Sequence, residues 1–112
     1  MSNSEISNFD IVIEFSDSKK GKSDYNLCKE YHNKHMKCDG WLISQPSGYI
    51  CEFIVDAYAG IFSLKISKDK DQYKLTETTR YYKGIAPRYL DKKEYVKVDT
   101  FLTLSDLLDN LK

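Results

Sequence analysis

Between Ile61 and Tyr82 apolar and polar side chains alternate with the two-residue period of a β-strand, twice in succession. Phe62, Leu64 and Ile66 fall on one side of the first strand, and Ser63, Lys65 and Ser67 fall on the other. After the charged turn Lys68-Asp69-Lys70-Asp71, Tyr73 and Leu75 continue the apolar side as far as Glu77. Thr76, Thr78 and Thr79 suit a pleated, half-exposed surface. The pattern predicts a hairpin with one face turned to a core. Its polar face is the candidate working surface.

The same alternation at Phe9, Ile11, Ile13 and Phe15 predicts another strand, followed by a loop over Ser16 to Lys22. Ser23 is placed to cap a helix that runs from Asp24 toward Lys37, with Gly40 as its stop. Trp41-Leu42-Ile43 reads as a short strand, with Trp41 in the core. Residues 46–60 fit two patterns. Tyr49, Ile50, Phe53, Ile54 and Ala57 have helical spacing between Pro46 and Gly60, yet YICEFIVDA is equally a buried strand rich in β-branched and aromatic types. Gly84-Ile85-Ala86-Pro87 breaks the chain, and Tyr95 to Thr100 alternates as a final strand. Thr103 or Ser105 caps a closing helix with the apolar stripe Leu104, Leu107, Leu108 and Leu111. These elements predict a flexible N-terminus over 1–8 and one α+β domain over 9–112. Its sheet is mainly antiparallel and packs against two or three helices.

Composition narrows the class. The chain has 112 residues, 41% of them hydrophobic, which is enough for a core without metal or disulfide staples. Seventeen basic and seventeen acidic residues cancel, so no overall field draws the chain to nucleic acid or to an anionic membrane. No apolar run approaches the roughly 20 residues that span a bilayer, and the N-terminus has no signal core. Three cysteines without framework spacing fit a reducing compartment. A cytoplasmic protein is expected.

Candidate chemistry is sparse. Gly21-Lys22-Ser23 after a predicted strand has the outline of a phosphate loop, but Ser16 stands where the first glycine must be. Cys28, His32, His35 and Cys38 bear ligand atoms, but on one helix they form a stripe about 15 Å long. One ion could reach only two of them, so no metal and no cofactor is expected. No serine elbow, cysteine–histidine pairing or carboxylate pair emerges, and a non-enzymatic protein is expected. Residues 80–97 do stand apart, with six cations against two carboxylates and tyrosines interleaved. Such a segment suits an acidic or phosphorylated group on a protein partner, or single-stranded nucleic acid. The candidate binding residues are Lys65, Ser67, Arg80, Tyr82, Lys83, Arg88 and Tyr89. Alternatives are an immunity-type inhibitor or phage antagonist that caps a partner's active site, and a homodimer through an exposed edge strand.

From Trp41 onward the order of residues resembles an SH2 domain, the phosphotyrosine-peptide module. Trp41 and Ile43-Ser44 resemble its opening strand. Gly60-Ile61-Phe62-Ser63-Leu64-Lys65-Ile66-Ser67 resembles its Gly-x-Phe-Leu-Val-Arg-x-Ser strand, and Tyr73-x-Leu75 and Tyr81-Tyr82-Lys83 stand where the next two strands would be. Phe101-Leu102-Thr103-Leu104 with Leu107-Leu108 is similar to its closing helix. The resemblance implies a helix over 46–58 and an anion pocket lined by Lys65, Ser67, Arg80 and Lys83. The family's two phosphate-binding arginines would fall on Lys65 and Gln45, and lysine lacks the bidentate fork of guanidinium.

Overall fold

The computed structural model describes residues 15–111. The expected strand from Phe9 therefore lies outside the described residues, except for Phe15, which opens a helix. That helix, α1 (Phe15–His35), runs through the segment expected as a loop and past the expected cap at Ser23. No proline interrupts residues 15–35, and Lys19, Lys20 and Lys22 are good helix formers, which offsets the cost of Gly21. A single 3₁₀ turn, Lys37–Asp39, follows. It ends at Gly40, whose φ of 89° is the left-handed stop that glycine adopts without a Cβ penalty.

Six antiparallel strands follow: β1 (Leu42–Ser44), β2 (Cys51–Asp56), β3 (Gly60–Asp69), β4 (Gln72–Lys83), β5 (Tyr89–Leu90) and β6 (Tyr95–Phe101). The sheet runs β1-β2-β3-β4, and β5 and β6 both pair with β4, one at each end of that long strand. It curls like half a barrel. The closing helix α2 is Leu104–Asn110, and Thr103 caps it by accepting a hydrogen bond from Asp106 N–H at 3.0 Å. The fold is α+β.

Residues 46–60 resolve as strand and turns. Tyr49 N–H donates to the Pro46 carbonyl at 3.1 Å, with Gly48 at φ 86°, so the proline and glycine mark a tight turn. Alternation then decides: Cys51 and Phe53 are fully buried while Glu52 and Ile54 face the other way. The helix that the SH2 resemblance implies over 46–58 is thus a strand. The β3–β4 hairpin closes on Lys70-Asp71, with Lys70 at φ 58°.

Register divides the sheet into two faces. Ile43, Cys51, Phe53, Phe62, Leu64, Ile66, Tyr73, Leu75 and Phe101 share the inner face. Both helices pack there, contributing Cys28, Tyr31, Leu104, Leu107 and Leu108, while Met36 joins the core just past α1. Burying a side chain such as Phe53 or Ile66 stabilises the fold by about 1.5–3 kcal/mol. Tyr73 ties the start of this core together by donating to Asp24 of α1 at 3.1 Å. No described helix is long and apolar enough to cross a membrane.

Candidate functional site

The outer face carries the alternate residues of the same strands. Leu42, Ile54, Ser63, Thr78 and Val96 form one cross-strand row, and Ser44, Glu52, Lys65, Thr76 and Val98 form the next. None of the core residues supplied by the two helices lies on this side. Val96 and Val98 are 57% and 52% exposed, and Leu42 is 68% exposed. The alternation expected over 95–100 is present, but it points its valines outward. Tyr95, Lys97 and Asp99 take the helix side.

A hollow of about 260 Å³ sits in this face, lined by Glu52, Ser63, Lys65, Thr78, Arg80 and Glu94 together with Ile54 and Ile61. Ser63, though polar, is buried, and its hydroxyl donates to Glu52 Oε2 at 2.7 Å. Arg80 Nε donates to the Asp91 carbonyl at 3.0 Å, which orients the guanidinium beside the hollow. Two cations and two carboxylates therefore ring the same depression.

The expected binding residues do not all meet. Lys65 and Arg80 share this hollow. Ser67 lines a separate depression with Tyr49 and Lys74, toward the β3–β4 turn. Lys83 falls on the inner-face side of β4 by register, 3.8 Å from Asp91. Tyr89 pairs with Lys83 in β5 and packs against Gly84, where a Cβ would meet its ring at 3.3 Å. Arg88 lies between the rings of Tyr58 and Tyr82, at 4.4 and 4.6 Å from their centroids, and donates to the Tyr58 carbonyl. Tyr82 donates to Asp56 at 2.7 Å, and this bond, followed by partial desolvation, raises its phenol above the ordinary value of 10.0. The basic-tyrosine segment is thus clamped onto the β2–β3 turn.

Ser63 stood on the expected polar face of the 61–67 strand, whereas sequence reasoning missed Glu52, Asp56 and Tyr58. Their only signal was period-two alternation in a stretch that also fitted a helix. The helix-borne candidates separate as well: Cys28 is buried and Cys38 is exposed. Among the described residues no three histidines, cysteines or carboxylates are grouped to hold a metal. His32 instead stacks on Phe53 with ring centroids 6.1 Å apart, and its Nε2 lies 2.5 Å from the Trp41 carbonyl. A hydrogen bond with Cys28, reinforced by burial, raises the Cys51 thiol far above its ordinary range, so it stays protonated in the core. Comparison with known protein families, with curated proteins and with solved structures finds no match for this chain.

Proposed function

We propose that this chain is a binding domain without chemistry of its own, and that it meets a protein partner on the outer face of its sheet. The observation that carries this reading is a face that no described helix covers, on which exposed apolar side chains flank a charge-balanced hollow. Apolar contacts with a few oriented polar groups are the composition of protein interfaces. Exposed tyrosines at the end of the same sheet, Tyr58 above all, supply rigid contact area. Because Lys65 and Arg80 face Glu52 and Glu94, the hollow suits a side chain offering both signs of charge better than a lone phosphate. Nucleic acid fits less well, since Arg88 already spends its planar faces on Tyr58 and Tyr82. Capping a partner's active site is one way such a contact would act.

Affinity capture with the wild-type chain and with Leu42→Glu/Lys65→Glu tests the reading. A protein retained by the wild type should bind the double variant at least ten-fold more weakly in direct titration, with unchanged circular dichroism. Equal binding by both forms would sink the outer-face contact. Capture of single-stranded oligonucleotide with a steep salt dependence would point to the phosphate backbone instead.

A further inference from the structure

Strand β6 is paired with β4 along one edge, and among the described residues no strand occupies its other edge. Tyr95, Val96, Lys97, Val98 and Thr100 are all exposed. An open edge seven residues long is a template for another strand, and a central lysine is the usual guard against it. Here the guard is neutralised within its own strand, because Asp99 lies on the same face with its carboxylate 3.7 Å from Lys97 Nζ.

We infer that this edge pairs with β6 of a second copy of the chain, antiparallel and two-fold symmetric about Val98. A two-fold axis relating antiparallel strands runs perpendicular to the sheet, so residues of the same face meet across it. That leaves three central registers. Centring on Lys97 sets Lys97 against its own copy, and centring on Asp99 sets two aspartates together; like charges directly opposite are destabilising. Centring on Val98 does the reverse. Lys97 meets the second copy's Asp99, and Asp99 meets its Lys97. Tyr95 faces Phe101, and the two Val98 side chains face each other. The strand YVKVDTF is thus self-complementary in charge, in aromatic pairing and in its apolar centre. The joined sheets would carry both outer faces on one side. Seven paired residues cover less than a standard interface of about 800 Å² per partner, so the dimer is weak and concentration-dependent. Pairing along this edge needs no partner on the outer face.

Sedimentation velocity over a concentration series tests it with three variants. The wild type should dimerise. Lys97→Asp and Asp99→Lys should each be monomeric, since each places two like-charged pairs across the axis. The double exchange Lys97→Asp/Asp99→Lys should dimerise again. Mixing the two single variants should yield a heterodimer, in which every cross-strand pair is of opposite charge. A wild type that stays monomeric at the highest concentration would overturn the inference. So would a dimer indifferent to the single exchanges, or single variants that do not associate when mixed. Circular dichroism of each variant separates loss of pairing from loss of fold, and although both side chains lie on the helix side of β6, Lys97 stays largely and Asp99 partly exposed.

Discussion

The two faces of the sheet are made by the same strands, residue by residue, and differ in what covers them. On the inner face Phe53, Ile66 and Leu75 lose all contact with solvent, because Leu104 and Leu107 of α2 and Cys28 of α1 close over them. On the outer face Ile54, Thr78 and Val96 occupy neighbouring positions of the same ladders and stay partly or largely exposed. An apolar side chain in a strand therefore marks a surface that wants a cover. It does not say whether the cover comes from the same chain.

The largest expected effect breaks this asymmetry at its centre. Phe53→Ala should destabilise the fold by about 3–5 kcal/mol, through lost burial and the cavity left behind. Thr78→Ala, two strands away on the outer face, should cost less than about 0.5 kcal/mol. Urea unfolding of both variants measures the contrast. Comparable losses would mean that the outer face is also packed.

Next in size is the clamp at the far end of the sheet. Arg88→Ala should cost about 1–2 kcal/mol, since it removes a cation held between two rings and a donor to the Tyr58 carbonyl. Arg88→Lys should recover only part of this, because an ammonium cannot stack in a plane between Tyr58 and Tyr82. Thermal melts of the pair would show whether planarity or charge holds the segment. Full recovery by lysine would leave charge alone as the cause.

The smallest effect sharpens the link between helix and inner face. Tyr73→Phe should cost about 1 kcal/mol by removing the hydrogen bond to Asp24. Burial first, and the Asp24 carboxylate second, raise the Tyr73 phenol above its ordinary 10.0. The neutral phenol is thus the form favoured by folding. Its contribution is complete below pH 10.0 and is lost as pH rises through the folded-state value. Melting temperature followed from pH 8 to 11 should fall less steeply above pH 10.0 in Tyr73→Phe than in the wild type. Parallel curves would place the alkaline loss on other tyrosines, among them Tyr31, whose phenol is also raised by burial and by Asp109.

Much of the architecture was legible in the residues. The hairpin of β3 and β4, β6, the stop at Gly40 and the Thr103 cap of α2 all stood in local patterns that depend on neighbours a few positions away, and of the expected turn Lys68-Asp69-Lys70-Asp71 the last two residues make the turn while the first two extend β3. Two segments were not. Residues 46–60 satisfy a helical and a strand period at once, and only pairing of Cys51 with Ile66 and Phe53 with Leu64 selects between them. The start of α1 was hidden because a lysine-rich polar stretch suits a loop and a helix equally. Of the candidate site, the sequence marked Lys65 and Arg80 but could not show that they share a hollow with Glu52 and Glu94.

Alternation and punctuation by themselves determined which residues could share a face, since side chains must point to opposite sides of a strand at every second position. For the β3–β4 hairpin the apolar side was the expected core side, but which side of β6 faces the helices was decided only by the tertiary structure. The valines of β6 look outward and Lys97 and Asp99 look inward because β4 fixes the register of that strand. Register is a long-range choice, made by the sum of cross-strand pairs and helix cover, and no local pattern contains it.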